Sequence, residues 1–525
     1  MQMEDLYLKP AQRLFNYCRD CKPAPGSAAE LAAFEKIQEG FASQFDLFFP
    51  DNLADKTIVV IPSLSLDQEV LAKVEGARYY EERLLCLLML LRMPRAKVVY
   101  VSSTPIDPVI IDYYLHLLPG ITGYHARERL TLISCYDTSA VPLTQKILQR
   151  PRLMERIKQA IPAGNVAHIA CFNTTALERT LSVHLGIPIY GCDPSLIYLG
   201  TKSGSRRAFM KAGVPLPPGA ENLTCYEDIV HAAAALKEMH PHIKKAVIKL
   251  NDGFSGDGNA IFKYPESLTG KAMYDWIQHN LYQAIVPVAK DLSTEMFMEK
   301  MVLMEGIVEA FVEGEEKASP SVQCRINPLG EVDIISTHDQ ILGGESHQIF
   351  EGAHFPADAA YRAQIAVLAK QIAGILKKEG VLGRFSIDFI SVKENDAWKH
   401  YAIEINLRKG GTTHPFLMLQ FLTNGNYDEA TGVFETPNKQ QLYYYASDNV
   451  QNPAYKGLTP QDLIDIAMFH GLHFDGAEQR GVMFHMIGAL SQYGKMGIVC
   501  IAASPEEAYS LYVKTIAVLD AETAG

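Results

Sequence analysis

Residues 383–414 read GRFSIDFISVKENDAWKHYAIEINLRKGGTTH, and the fold turns on this stretch. The runs 383–392 (GRFSIDFISV) and 400–407 (HYAIEINL) predict two strands. Glu404 and Asn406 stand two apart and so project from one sheet face; Asp388 lies opposite them if the strands pair. Arg408 continues the same face. Carboxylate and amide oxygens converging in this way suit Mg²⁺, a hard cation whose coordination is completed by nucleotide phosphates. A guanidinium beside them can offset charge on a transferring phosphoryl group. The plainer alternative is an ordinary polar strand face with a surface ion pair, and these residues by themselves leave both readings open.

Further upstream, AVIKL (246–250) enters the loop NDGFSGDGN (251–259) and AIFKY (260–264) leaves it, the pattern of a hairpin. Gly253, Gly256 and Gly258 allow backbone N–H groups to approach an anion closely, although many Gly-rich hairpins are simply surface turns. The loop lacks the G-K-[ST] ending of a P-loop. Lys249 stands inside the apolar run before it, where a lysine is costly to bury without a negative partner. A phosphate would serve, and so would a structural carboxylate.

The remaining chain alternates. After a helical lead-in with Leu31, Phe34, Ile37 and Phe41 at helical spacing, strand-like runs at 56–67 (ending in a polar loop), 96–105, 130–137 and 168–173 alternate with helical segments, Tyr80–Arg92 among them. The run 187–191 (IPIYG) is expected as a further strand. This predicts a parallel, doubly wound sheet, and because no Gly-rich turn follows these strands it is not a dinucleotide-binding domain. Beyond Lys202 the texture becomes α+β. Residues 430–457, rich in Asn, Tyr and Gln, read as a linker or crossover, and 460–520 as a closing α+β segment.

Bulk properties exclude other classes. The chain has 525 residues, is 48% hydrophobic and carries a formal charge of −12, so several domains are expected and nucleic acid or anionic lipid are poor partners. The N-terminus lacks a secretory pattern and the longest apolar run, Leu84–Leu91, is too short to span a bilayer, so a cytoplasmic protein is expected. Cys18 and Cys21 form a lone C-x-x-C without a second pair at metal-ligand spacing and read as two free thiols.

A lysine, a second lysine with a Gly-rich hairpin, a V-E-x-F-V strand and then D…E-x-N-x-R, in that order, resemble the ATP-grasp superfamily. Residues 168–191 followed by GCDPSLIYLGTKSGSRRAFMKAGVPLP resemble a pre-ATP-grasp domain running into its nucleotide domain. NDGFSGDGNAIF, SPSVQCRI, STHDQILGG and GVMFHMIGALSQYGKMGIVCIAASPEEA are similar to the pheganomycin-type peptide ligases. The resemblance implies α/β and α+β architecture: a Rossmann-like pre-ATP-grasp domain with its helical lead-in (1–200), an ATP-grasp domain (201–435, lid subdomain 213–313) and a small C-terminal α+β lobe (436–525).

It also implies roles. Lys202 and Lys249 are the phosphate-contacting lysines, and the hairpin with Gly253, Ser255, Gly256 and Gly258 is the lid over the phosphates. Glu309 accepts from the adenine amino group, Ala310 and Val312 offer backbone contacts to adenine, and Glu316 (or the adjacent Glu315) binds ribose. Asp388, Glu404 and Asn406 hold Mg²⁺, two ions with Mn²⁺ as a substitute, and Arg408 stabilises an acyl phosphate. His338, Gln340, Arg384 and the run Gly410, Gly411, Thr412, Thr413, His414 are candidates for the substrate pocket, with His414 as a base for an incoming amine. The implied activity joins a small-molecule carboxylate to an amine, amino acid or peptide, through an acyl phosphate. A homodimer is the one protein assembly allowed for. Another ATP-grasp chemistry, carboxylation or kinase-like transfer, and a non-catalytic nucleotide-binding module are the alternatives.

Overall fold

The computed structural model describes residues 22–66, 71–72, 75–252, 258–289, 292–343 and 349–524. Cys18, Cys21, Gly253, Ser255 and Gly256 lie outside the described residues. The chain divides into two units, Met1–Pro194 and Ser195–Gly525.

In the first unit, helix α1 (Ala28–Phe48) starts at Ser27, whose hydroxyl accepts from the Glu30 N–H at 3.2 Å. Strands β1 (Lys56–Ile61), β2 (Lys97–Ser102), β3 (Leu130–Ser134) and β4 (Val166–Cys171) form a parallel sheet in the order β3-β2-β1-β4. Val59, Val60, Ile61, Val98 and Val101 are fully buried. Burial on both faces explains why these strands read as unbroken apolar runs rather than alternating ones. The segment expected as a helix from Tyr80 is a 3₁₀ helix, Ala77–Arg92, burying Leu84, Leu85, Leu88 and Leu91. Helix α2 (Ala176–Leu185) opens with a Thr175–Glu178 capping box and closes on Gly186 at φ 73°. The run 187–191 makes a single bridge, Ile169 to Ile189, rather than a strand; Ile189 N–H is taken by the Gln38 side chain at 2.8 Å.

The second unit starts with helix α3 (Lys202–Ala212) and continues into an antiparallel sheet of β5 (Gly219–Leu223), β6 (Lys245–Leu250), β7 (Asn259–Lys263), β8 (Ile285–Pro287) and β9 (Gly306–Ala310), in the order β5-β9-β6-β7-β8. Helices α4 (Tyr226–Met239) and α5 (Gly270–Ala284) cover one face through Ile229, Ala233, Ile277 and Leu281, which pack on Ile248, Phe262 and Val308. Full burial of each large aliphatic side chain stabilises by ~1.5–3 kcal/mol.

A second, larger antiparallel sheet contains β10 (Lys317–Ala318), β11 (Pro320–Ile326), β12 (Val332–Gly343), β13 (Ile349–Phe355), β14 (Gly383–Glu394) and β15 (Ala397–Asn406). Helix α6 (Arg362–Lys378) leads into β14, and helix α7 (Thr413–Thr423) follows β15. Strands β16 (Asn426–Asp428) and β17 (Val433–Glu435) form a separate hairpin. The segment read as a linker at 430–457 contains a strand, β18 (Tyr443–Gln451), paired with β13 on one side and with β20 (Lys495–Ala502) on the other; β19 (Gly481–His485) closes the edge. Tyrosines are good strand formers when half their surface is covered, and Tyr444 and Ala446 are buried, which the polar composition of the segment concealed. The C-terminal α+β segment is thus continuous with the large sheet, and helix α8 (Pro505–Glu522) lies against β18 and β20, with Ala508 and Tyr512 packed on Tyr445 and Ala502. No helix among the described residues is long and apolar enough to cross a membrane.

Candidate functional site

Lys202 is the first residue of α3, where the helix dipole disfavours a cation. Thr201 caps the helix by accepting from Gly204 N–H at 3.0 Å, and Ser203 N–H donates to Asn251 Oδ1 at 2.9 Å, tying the helix start to the end of β6. Gly204 is required there: a Cβ would fall 1.8 Å from the Tyr198 carbonyl oxygen. The Lys202 ammonium is buried and ion-paired with Glu404 on β15.

Strand pairing builds the oxygen cluster. Asp388 stands opposite both Glu404 and Ser321, and Asn406 opposite Ser386, so one face of the large sheet carries all of them. Ser321 Oγ donates to Asp388 Oδ1 at 2.6 Å and Asn406 Nδ2 to Asp388 Oδ2 at 3.0 Å. Burial, then the neighbouring Glu404 carboxylate, push the Asp388 carboxyl up to about 6 against the pull of Ser321, Lys202 and Arg408. Burial acts on Glu404 in the same sense, but Lys202, Arg408 and Lys249 outweigh it and hold that carboxyl below its ordinary value. Two acids on one face with opposite shifts, and three cations acting on one of them, describe a site whose charges are not closed among themselves. Two carboxylates and an amide oxygen fit a hard divalent cation that takes its other ligands from phosphate or water; among the described residues no group of three His, Cys, Asp or Glu side chains is placed to hold a metal without such help.

Lys249, on β6, donates to Glu309 Oε1 on β9 at 2.5 Å, and both are buried. Arg206 reaches the other Glu309 oxygen at 3.2 Å and Glu221 at 3.3 Å. The carboxylate expected to receive an adenine amino group is therefore held by two cations here. Ala310 N–H is bonded to the Pro218 carbonyl at 2.8 Å, and the Val312 carbonyl accepts from Lys317 at 3.4 Å. Glu316 pairs with Lys393 at 2.9 Å in an exposed position. Gly258, the described end of the hairpin loop, is fixed by its carbonyl, which accepts from Leu250 N–H at 2.8 Å.

The substrate-pocket candidates separate. His338 is a correction: its ring is fully buried between Phe355 and Tyr444, its Nε2 is bonded to the Tyr444 hydroxyl at 2.6 Å, and burial pushes its pKa down to about 3. A neutral imidazole buried among aromatic rings braces β12 against β18 and has no exposed surface to offer a substrate. Gln340 is half-buried on β12 opposite Ala353. Arg384 is half-buried on β14 and shares the face of Ser386 and Asp388. Arg408 leaves β15 beside the cluster; its backbone N–H is bonded to the Asn406 carbonyl at 2.8 Å. The turn that follows is pinned to the sheet by Gln323, whose amide donates to the Thr412 carbonyl at 2.9 Å and accepts from Thr413 Oγ1 at 3.1 Å. Thr413 Oγ1 also accepts from Gly410 N–H at 3.0 Å. A Cβ on Gly411 would meet the Phe350 ring at 2.7 Å, and His414 is buried beneath the turn.

Reading the residues alone missed Arg206, Ser321 and Gln323. Arg206 stood one helical turn after Lys202, the spacing that places two side chains on one face. The two others carried no signal before the strand register was known.

The family model described as IQCH-like, ATP-grasp, matches residues 195–284 and 277–430, and the PGM1 C-terminal domain model matches 462–515. The L-propargylglycine–L-glutamate ligase of Streptantibioticus cattleyicolor is 27% identical over 461 residues, covering 86% of this chain and 92% of that protein. IQ motif-containing protein H of Danio rerio is 22% identical over 429 residues, covering 73% of this chain and 40% of that protein. A biotin carboxylase from Campylobacter jejuni, solved as a β-γ-ATP complex, superposes with a TM-score of 0.52 at 14% identity, over 87% of this chain and 89% of that one, a likeness of fold. The sheet architecture and the ordered motifs above agree with these matches: residues 195–430 carry the ATP-grasp signature, and the fold is that of ATP-grasp enzymes.

Proposed function

We propose that the chain is an ATP-dependent ligase that joins the carboxylate of an amino acid or peptide to an amine, through an acyl phosphate, with release of ADP and phosphate. The observation that carries this reading is the Lys202–Glu404 pair, which brings a buried ammonium from a helix start against the acid face formed by Asp388, Glu404 and Asn406. A buried ammonium paired with a candidate metal ligand is one whose partner can be exchanged for a phosphate. The 27% identity with an amino-acid ligase over most of both chains supports the choice of ligation over carboxylation or phosphoryl transfer to a hydroxyl.

In this reading Asp388, Glu404 and Asn406 hold Mg²⁺, which when bound supplies charge neutralisation at the transferring phosphate. Lys202 and Lys249 bind the nucleotide phosphates, and Lys249 gives up Glu309 in doing so. Glu309, with Arg206 still fixing its other oxygen, then faces the adenine amino group. Arg408 stabilises the developing charge on the acyl phosphate. The turn at Gly410–Thr413 gives room for the acyl group beside it, and exclusion of water keeps the acyl phosphate from hydrolysis.

The test is incubation with ATP, Mg²⁺ and an amino-acid library. ADP release that requires both a carboxylate and an amine, with an amide product by mass spectrometry, is expected. ADP release driven by bicarbonate, phosphate found on a hydroxyl, or no carboxylate-dependent turnover would each overturn the reading.

A further inference from the structure

The sheet face that carries Ser321 and Asp388 does not end at the candidate metal ligands. It passes from Ser321 to His338 on β12, from Gln340 to Ala353 on β13, from Ala353 to Ala446 on β18, from Ala446 to Val499 on β20 and from Val499 to Met483 on β19. His485 stands opposite Gly497 on the same face. Here the C-terminal strands place a second group of titratable side chains under the turn that follows Arg408. His485 Nε2 and Asp448 Oδ1 are 2.7 Å apart, with His485 fully buried and Asp448 6% exposed. The His414 ring, 3% exposed at the start of α7, lies against the His485 ring with centroids 4.3 Å apart. His485 Nδ1 is buried and has no hydrogen-bond partner among the described residues.

The backbone is pared down on both sides of this group. A Cβ on Gly497 would fall 2.0 Å from His485 Nε2, so only glycine admits the ring there. A Cβ on Gly411 would come within 3.0 Å of Asp448 Oδ2, so the turn rests directly on that carboxylate. A buried acid–imidazole pair stabilises a fold no better than well-packed apolar side chains of similar volume. Two imidazoles and a carboxylate gathered beneath a Gly-Gly-Thr-Thr turn therefore point to chemistry rather than to packing.

The geometry points to an Asp448–His485–His414 relay that accepts the proton of the incoming amine, His414 being the acceptor and Asp448 and His485 positioning residues that act through it. The inference rests on the ligase reading. In the step, the amine nitrogen forms the C–N bond to the acyl carbon, the C–O bond to phosphate breaks and phosphate leaves with its electron pair. The nitrogen sheds a proton to His414, from which it passes to the departing phosphate or to water. The Asp448 carboxylate, through His485, offsets the positive charge that the stacked imidazoles carry meanwhile.

Hydroxylamine tests this directly, because it is uncharged at neutral pH and attacks an acyl phosphate without a base. The full-length chain is given ATP, Mg²⁺ and the twenty amino acids, with and without hydroxylamine, and hydroxamate and amide are measured separately. His414→Asn is expected to keep hydroxamate formation within about threefold of wild type and to lose ~10²–10⁴-fold in amide formation. Asp448→Asn and His485→Gln should show the same split with smaller losses. Equal loss of both products in soluble, folded variants, or no loss of either, would overturn the relay and leave the ligase reading standing. Absence of hydroxamate from the wild-type chain would remove the ligase reading and the relay with it. If Asp448→Asn does not fold, the split in His414→Asn decides alone.

Discussion

Both units of this protein bury lysines and carboxylates, and one cluster in each satisfies them in opposite ways. In the first, at the carboxyl ends of the parallel strands, acids are closed by neutral donors. Glu81 accepts from Ser103 N–H at 2.7 Å and Ser103 Oγ at 2.6 Å, while Glu178 accepts from the Ser65 hydroxyl and from Thr175. Lys146 donates to Ser103 Oγ and to the Asp137 carbonyl, each at 3.0 Å. Burial wins in this setting and raises both acids, Glu81 to about 7. In the second unit, cations meet acids head on, Lys202 with Glu404 and Lys249 with Glu309, and Glu404 stays below its ordinary value despite burial. Buried acids closed by hydroxyls and amides are architecture. Buried cations whose partners are themselves candidate ligands are what the proposed phosphate and divalent-ion site requires.

The largest expected effect breaks the second kind of pairing. Glu404→Ala, which removes a candidate Mg²⁺ ligand, or Arg408→Ala, which removes a cation beside the transferring phosphate, should each lower turnover by ~10²–10³-fold or more. Circular dichroism should stay near wild type for both, with a lower melting temperature only for Glu404→Ala, which leaves buried Lys202 without its carboxylate. Retained activity would return Asp388, Glu404 and Asn406 to an ordinary polar strand face. Lys249→Ala comes next. In the proposed site it removes one charge-assisted bond to a nucleotide phosphate, worth ~1.5–3 kcal/mol, so ATP should bind about ten- to a hundredfold more weakly by calorimetry. Arg206 stays on Glu309, which keeps the acid from being stranded, so the fold is expected to survive.

Period-two geometry made part of this legible from the sequence. Glu404 and Asn406 had to share a face, and pairing of β14 with β15 brought Asp388 opposite Glu404. The parallel sheet was legible as well, because strands buried on both faces announce themselves as apolar runs. What stayed hidden depended on long-range register. By sequence His338 is a substrate-pocket candidate, yet it lies within β12 and is sealed by Phe355 and Tyr444, the latter 106 residues away. Asp448 and His485 meet only because β18, β20 and β19 are neighbours, and the polar letters around Tyr443–Gln451 hid the first of these strands. The hold of Lys249 and Arg206 on Glu309 was equally hidden, since it depends on the pairing of β6 with β9 and on a helix turn from α3.

The smallest expected effect sharpens the comparison from the architectural side. Glu81 is buried, and its folded pKa of about 7 lies above the ordinary value of 4.5. Between those two pH values the folded chain keeps a proton that the unfolded chain has lost, so this group's contribution to stability falls as pH rises through the window and is constant above it. Glu81→Gln mimics the protonated form and removes that loss. Compared with wild type the variant should be close to neutral at pH 4.5 and gain stability up to pH 8, by at most ~3 kcal/mol, read as a rising difference in denaturant midpoint. Turnover and ATP affinity should not change, because the acid is closed on Ser103. A change in ATP affinity, or a stability difference flat with pH, would show that Glu81 does not belong to the closed network and that the contrast between the two units is drawn in the wrong place.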